Sequence, residues 1–232
     1  MHFNSKTRLL VIAAHPDDET LGCGGTLVKA ISEGAKVRIL FLGEGISARF
    51  PVGQYDSKEF REQTSIRKEE TEKALAVLGV KDVRYGDRLC CQFDKLPILS
   101  IVKEIEEEIQ LFDPDILFTH NSSEVNIDHK IAYEAIEIAC RPTNKNRLKE
   151  IYTFEVVCSG RWKFVSNFHP NVFVDISKFW ETKMKAWACY DHETREFPFP
   201  RSPKGLESLA NFRGMSAGIE RAEAFCLTRQ IV

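Results

Sequence analysis

Four side chains that could do chemistry follow one short apolar segment near the start of the chain. Residues 9–12 are apolar, as in a buried strand of a parallel sheet, and the polar residues after them are His15, Asp17, Asp18 and Glu19. Open α/β sheets bind ligands at the carboxyl ends of their strands. Three carboxylates this close repel one another, and a divalent cation would relieve the repulsion. The pattern favours a metal site over a solvated turn in which Asp17 or Asp18 caps a helix.

A second polar cluster follows a later strand candidate at residues 116–119. It extends from Thr119 to His129 and includes His120 and Asp128. Together, His15, Asp18 and His129 can supply the three protein ligands of a catalytic zinc, with one position left for water. Ferrous iron, cobalt and nickel accept similar ligands. His129 could instead simply begin a helix, and His120 is not assigned to the metal because it could equally be a hydrogen-bonded turn residue.

The composition sets limits on the class of protein. The chain has 232 residues with 43% hydrophobic content, which predicts one domain over residues 1–232. A net charge of −2 provides no electrostatic argument for a nucleic-acid partner. The first residues lack the layout of a signal peptide, and no apolar run is as long as a membrane span. The seven cysteines form no CxxC pair, which is typical of reduced thiols. We therefore expect a cytoplasmic protein.

The elements that must position the polar clusters alternate along the chain. Strands are predicted at residues 8–14, 36–42, 80–85, 116–119, 150–157 and 171–175, and helices at about 20–33, 59–78, 97–111, 129–140, 178–189 and 206–215. A proline-rich stretch at residues 196–203 crosses the surface before the last helix, and a segment at 222–228 ends the chain. This alternation predicts a single-domain, Rossmann-like α/β fold, with a mostly parallel sheet and helices on both faces.

The first cluster carries a family resemblance. The string Ala14-His15-Pro16-Asp17-Asp18-Glu19 resembles the signature of the PIG-L/LmbE-type zinc-dependent N-acetylglucosaminyl deacetylases, and the match continues through residues 20–25. The resemblance implies one zinc ion per chain, with His15 and Asp18 among its ligands and Asp17 as the catalytic base. It also implies a hydrolase that removes the N-acetyl group from an amino sugar or sugar conjugate, with a small-molecule substrate from polysaccharide or glycoconjugate biosynthesis.

The second cluster departs from the family pattern. Where the family commonly has His-Pro-Asp-His, this chain has Asn126-Ile127-Asp128-His129. The resemblance places the third ligand at His129 and an orienting carboxylate at Asp128, but Asn126 replaces the histidine that acts as acid or oxyanion stabiliser. An amide cannot give a proton to a leaving amine, although its N–H can hydrogen-bond an oxyanion. Either Asp17 carries the proton both ways, or His192 or His120 supplies it.

The resemblance also implies residues that contact the substrate. Arg49 lies in the loop after the second predicted strand, where the family often has such an arginine, and Arg67 lies in a helix that matches the family's R-x-x-E pattern. Glu70 is three residues after Arg67, a spacing typical of an ion pair on one helix face. Asp87 and Asp94 could hold sugar hydroxyls or could be loop turns.

Three other functions remain as alternatives. The same metal site could hydrolyse a different amide or ester, or the chain could be a sugar-binding module without catalysis. The run Gly22-x-Gly24-Gly25 suggests a nucleotide-binding Rossmann enzyme, but it lacks the G-x-G-x-x-G spacing and the acidic run before it would repel a pyrophosphate. Close backbone packing explains these glycines equally well. The sequence does not name the sugar and leaves open whether the chain forms a homo-oligomer.

Overall fold

One mixed sheet with helices on both faces makes up the described chain. The computed structural model describes residues 1–142 and 148–232. The strands are β1 (Arg8–Ala13), β2 (Lys36–Gly43), β3 (Asp82–Arg88), β4 (Ile116–His120), β5 (Glu150–Phe154), β6 (Val172–Asp175) and β7 (Ala222–Gln230). The helices are α1 (Asp18–Ser32), α2 (Lys58–Leu78), α3 (Ile98–Phe112), α4 (Ile127–Ala139), α5 (Val157–Arg161), α6 (Trp180–Trp187) and α7 (Pro203–Met215).

The strand order confirms the predicted fold class. The order is β3-β2-β1-β4-β5-β7-β6, and the first five of these strands run parallel. The terminal segment at residues 222–228 becomes β7, which is antiparallel to both β5 and β6. Because β2 and β3 lie on one side of β1 while β4 and β5 lie on the other, the sheet has a topological switch point between β1 and β4. Open α/β sheets bind their ligands there.

Alternate residues of β1 pack against the two helical layers. Leu9 and Val11 belong to a core that includes side chains of α1, α2, α6 and α7. Leu10 and Ile12 belong to a second core with side chains of α3 and α4. All four side chains are fully buried, which explains why this strand reads as a continuous apolar run. Within the described residues, no helix is both long enough and apolar enough to cross a membrane.

The glycines of α1 allow the helix to approach its neighbours closely. A Cβ atom on Gly22 would lie 2.4 Å from Cδ2 of Phe154, and one on Gly25 would lie 2.8 Å from Cγ2 of Ile176. Either contact would force a buried side chain to move. The close approach supports the packing interpretation of this glycine run and brings the first turn of α1 to the edge of the sheet.

We predict that alanine destabilises the fold at Gly22 of α1 but not at Gly24. Gly22→Ala should lower the free energy of unfolding by about 1–3 kcal/mol, because the new methyl group overlaps the buried ring of Phe154. Gly24→Ala is the matched control, since its Cβ would meet nothing nearer than 3.6 Å. It should leave stability unchanged or raise it by up to about 1 kcal/mol. Urea denaturation measures both, and equal destabilisation would contradict the packing argument.

Candidate active site

The two predicted polar clusters meet at the switch point of the sheet. β1 pairs in parallel with β4, with Ile12 opposite Thr119, so the two strands end side by side. His15 and Asp18 follow β1, and His129 lies in the first turn of α4 after β4. All three side chains are buried. The structure therefore gathers residues that are more than a hundred positions apart in the sequence.

The donor atoms of these three residues have the spacing of metal ligands. The Asp18 Oδ2 atom lies 3.6 Å from Nδ1 of His15 and 3.4 Å from Nε2 of His129. The three donors all lie within 4.8 Å of one another. Two ligands that are each about 2.1 Å from a tetrahedral metal are themselves about 3.4 Å apart. The residues present therefore fit a four-coordinate divalent metal with one open position.

A carboxylate contacts the ring nitrogen of each histidine that does not face Asp18. The Asp128 Oδ2 atom lies 2.8 Å from Nε2 of His15. The Glu124 carboxylate hydrogen-bonds Nδ1 of His129. Each ring can thus donate its outer N–H to a carboxylate and keep the lone pair of its other nitrogen for a metal, as metal-binding histidines commonly do. Sequence analysis did not single out Glu124, which lies five residues before His129.

The charges of Asp18 and of the histidines around it depend on one another. Burial opposes protonation of His15, but its hydrogen bonds with Asp128 and Asp18 outweigh burial and raise its pKa to about 10. Burial would likewise raise the pKa of Asp18, yet the charge of His129 and the contact with His15 hold it well below its usual range. Asp18 thus stays ionised and requires positive charge beside it, from a proton or a metal ion.

The carboxylate of Asp17 is not one of these donors and is held by two arginines. Its φ of 115° lies in the left-handed region, which is rare for residues other than glycine. Although it stands at the N-cap position of α1, its side chain makes no capping bond. Its Oδ2 atom lies 3.0 Å from Nη1 of Arg201 and 3.4 Å from Nη1 of Arg67. Its backbone N–H donates to Oε2 of Glu19 at 2.9 Å. Burial raises the pKa of Asp17, and the charge of Arg201 partly opposes this rise.

The arginines near Asp17 share one buried acid, Glu193. Its carboxylate pairs with Arg49, Arg67 and Arg201. The guanidinium of Arg67 is 2% exposed and also donates to the backbone oxygen of Pro16 at 2.9 Å. The two arginines expected to contact substrate are therefore parts of a network that reaches Asp17. Sequence analysis missed Glu193 and Arg201 because they lie in or beside the proline-rich stretch, where no periodic pattern marks them.

The polar groups at the start of α4 have different neighbours from those expected. Asn126 is the N-cap of α4, and its Oδ1 accepts the backbone N–H of Asp128 at 2.9 Å. Its side-chain amide group remains a donor. The Asp128 carboxylate, which was expected to orient a group at position 126, binds His15 and the backbone N–H of Phe93 instead.

The two other histidines considered as acids are both engaged. The ring of His120 is buried and stacks on that of His129 with 3.9 Å between centroids. Its Nε2 accepts the backbone N–H of Ala14 at 2.9 Å. Burial and the charge of His129 lower its pKa, so it stays neutral and cannot supply a proton readily. His192 is half exposed, and its Nδ1 lies 2.6 Å from Oε1 of Glu70. Glu70 also approaches Arg67 at 3.7 Å, as predicted.

A cavity of about 300 Å³ adjoins the site. Its lining includes Pro16, which follows His15, and Arg67, which contacts Asp17. The other lining residues include two aromatic rings and several polar groups: Phe60, Tyr85, Glu44, Lys68 and Asp87. A cavity of this size, with mixed apolar and polar walls, is typical of small-molecule sites.

Comparisons with known proteins identify relatives of this chain. A family model described as PIG-L: GlcNAc-PI de-N-acetylase matches residues 10–140, which include both clusters. The diacetylchitobiose deacetylase of Thermococcus kodakarensis is 30% identical over 233 residues, which cover 95% of this chain and 83% of that protein.

Two solved structures share the fold. The N,N'-diacetylchitobiose deacetylase of Pyrococcus horikoshii, complexed with its inhibitor, has a TM-score of 0.73 at 22% identity and covers 96% of this chain and 84% of its own. GalB, the 4-carboxy-2-hydroxymuconate hydratase of Pseudomonas putida KT2440, has a TM-score of 0.74 at 21% identity, with coverage of 97% and 98%. At these identities the likeness concerns the fold alone.

The family model and the relative together decide the family. The model spans more than half of the chain, and the relative aligns over nearly all of it. Both place the chain among enzymes that hydrolyse an N-acetyl amide. This chain belongs to the PIG-L family of GlcNAc-PI de-N-acetylases and is a hydrolase that acts as an N-deacetylase.

Proposed function

We propose that this chain removes acetate from an N-acetylated amino sugar or sugar conjugate, with one zinc ion held by His15, Asp18 and His129. The observation that supports this most directly is the spacing of the three buried donors. The Asp18 Oδ2 atom lies 3.6 Å from Nδ1 of His15 and 3.4 Å from Nε2 of His129. Two nitrogen donors and one carboxylate suit zinc. The name of the relative from Thermococcus kodakarensis supports an N-acetyl sugar as the substrate.

Asp17 is the proposed base of the reaction. A zinc ion held by His15, Asp18 and His129 would supply a Lewis acid that lowers the pKa of a water molecule toward about 7. Asp17 precedes Asp18 in the chain, and we propose that its carboxylate takes the proton from the attacking water. Arg67 and Arg201 hold the carboxylate in one orientation. Since burial raises its pKa, Asp17 can then return the proton to the leaving amine as the C–N bond breaks.

Two groups of the site support the proposal that Asp17 alone transfers the proton. His120 donates no proton because its Nε2 is occupied by a backbone N–H and its pKa is lowered. Asn126 cannot act as an acid, but its amide group can donate a hydrogen bond to the oxygen of the tetrahedral intermediate. Asp128 acts through His15, whose ring it orients.

The adjoining cavity is proposed to hold the sugar. Phe60 and Tyr85 offer apolar faces to the ring carbons, while Glu44, Lys68 and Asp87 can bind hydroxyl groups. Arg49 is partly exposed and remains available to a substrate at the edge of the network. We also propose that residues 1–232 act as one domain in the cytoplasm, which is supported by the single sheet and by the free thiols of the described chain.

A substrate panel tests the proposed function directly. The zinc-loaded protein is incubated with N-acetyl sugars, including disaccharides and nucleotide-linked N-acetylhexosamines, and released acetate and free amine are measured by chromatography. Equal amounts of acetate and amine from at least one sugar are expected. Hydration of an unsaturated acid without acetate release would instead assign this chain a reaction like that in the name of GalB.

We predict that the three proposed ligands control metal content. His15→Ala, Asp18→Ala and His129→Ala should each lower zinc well below one ion per chain and abolish turnover. Glu124→Gln should weaken zinc binding by about 10- to 100-fold, because the His129 ring loses its carboxylate partner. His169→Ala, which changes an exposed histidine, is the control. Metal analysis after dialysis gives the result, and full zinc occupancy in the His129 variant would exclude it as the third ligand.

We predict that asparagine at Asp17 and at Asp18 has different effects, because one residue is the proposed base and the other a proposed metal ligand. Asp17→Asn should keep zinc and fold but lose about 100- to 10,000-fold in kcat, because an amide cannot accept the proton of the water. Asp18→Asn should lose zinc. Both are checked by metal analysis and by initial rates at saturating metal. Loss of zinc from the Asp17 variant alone would show that the two roles are reversed.

We predict that capping and catalysis at Asn126 can be separated. Asn126→Ala removes both the N-cap and the amide donor. It should therefore lower the free energy of unfolding by about 1 kcal/mol and also lower kcat. Asn126→Ser keeps a capping oxygen, so its unfolding should stay near wild type. Its kcat should still fall by the equivalent of about 1–3 kcal/mol if the amide binds the oxyanion. Unchanged kcat in the serine variant would leave Asn126 with a structural role only.

A further inference from the structure

Two adjacent thiols lie beside His15 and have no part in the proposed reaction. Cys90 and Cys91 follow β3, and their Sγ atoms are 3.8 Å apart. Cys90 is buried, whereas Cys91 is exposed. The φ of Cys91 is 59°, in the left-handed region. The Cys90 sulfur lies within 4.8 Å of donor atoms of both His15 and Asp128.

The backbone of this pair binds the carboxylate of Asp128, which contacts the His15 ring. The N–H of Cys91 donates to Oδ2 of Asp128, the oxygen that also binds Nε2 of His15 at 2.8 Å. The N–H of Phe93 donates to the other Asp128 oxygen at 3.1 Å. A change in the direction of the Cys90–Cys91 peptide would therefore remove a hydrogen bond from the group that orients the His15 ring.

We propose that Cys90 and Cys91 form a modification site, which a peroxide oxidises to a vicinal disulfide and which thereby weakens metal binding at His15. Bond formation stands independently, whereas its effects on metal binding and deacetylation rest on the proposed function. Neighbouring Cα atoms are about 3.8 Å apart, below the roughly 4.4–6.8 Å of ordinary disulfides. Closing the bond must therefore turn the intervening peptide, and this turn moves the Cys91 N–H away from Asp128.

The oxidation balances with one peroxide molecule. The Cys91 thiolate attacks one peroxide oxygen, the O–O bond breaks, and Cys91 becomes a sulfenic acid while hydroxide leaves. The Cys90 sulfur then attacks the Cys91 sulfur, the S–O bond breaks, and the second hydroxide leaves as water with the thiol proton. Two thiols are oxidised and one peroxide is reduced. Exposure of Cys91 admits the oxidant, and the hydrogen bond from Cys90 lowers the pKa of Cys91 to about 7, which raises its thiolate fraction.

The test uses the zinc-loaded full chain and hydrogen peroxide. Wild type should lose the mass of two hydrogen atoms, with the bond located at Cys90–Cys91 by peptide mapping without reduction. Its zinc affinity, measured by competition with a coloured chelator, should fall by about 10- to 100-fold. Dithiothreitol should restore both. In Cys90→Ser, the sulfenic acid at Cys91 should persist and react with a 1,3-dione probe, and zinc affinity should remain near that of the untreated variant.

Cys189→Ser is the matched control, because Cys189 is a partly exposed cysteine that follows α6 and not β3. It should respond to peroxide like wild type. If peroxide lowers the zinc affinity of the Cys90→Ser, Cys91→Ser double variant as much as that of wild type, the proposal is overturned. A vicinal disulfide in wild type that leaves zinc affinity unchanged would also overturn it. Mass and metal measurements need no substrate, so a failure to release acetate from any sugar would count against the proposed function alone.

Discussion

The buried negative charge of Asp18 is the constraint on which the site depends. Its Oδ2 atom lies 3.4 to 3.6 Å from nitrogens of His15, His120 and His129 and accepts the backbone N–H of His15 at 2.9 Å. The side chain is 1% exposed. A buried carboxylate without compensation costs several kcal/mol, so positive charge must stand beside it. Two strand ends from distant parts of the sequence supply the groups that make a cation favourable there.

The positions of those groups depend on two layers of support. Carboxylates of Asp128 and Glu124 contact the rings of His15 and His129, and the loop that contains Cys91 and Phe93 holds Asp128 through backbone N–H groups. The close approach of α1 to the sheet at Gly22 places the start of that helix at the strand ends. Packing of the core and placement of the donors are therefore parts of the same arrangement.

A separate network orients Asp17. The residue adopts a backbone conformation that costs energy for a side chain with a Cβ, and such conformations persist where surrounding contacts compensate. Here the compensation comes from Glu19 on the backbone and from Arg67 and Arg201 on the carboxylate. Glu193 balances the charge of the arginines. The carboxylate is not among the three proposed metal donors, so it can serve as the proposed base.

Local sequence patterns were sufficient for the elements and for the first cluster. The apolar runs of β1 and β4, the alternation of strands and helices and the string from His15 to Glu19 predicted a mostly parallel α/β fold and its ligand edge, because strand and helix periodicity is a local property. Tertiary structure alone placed β7 between β5 and β6, turned Asp128 toward His15, and brought Glu124, Glu193 and Arg201 to the site. These contacts join residues whose separation in the chain carries no period, so only the packed fold decides which of them meet.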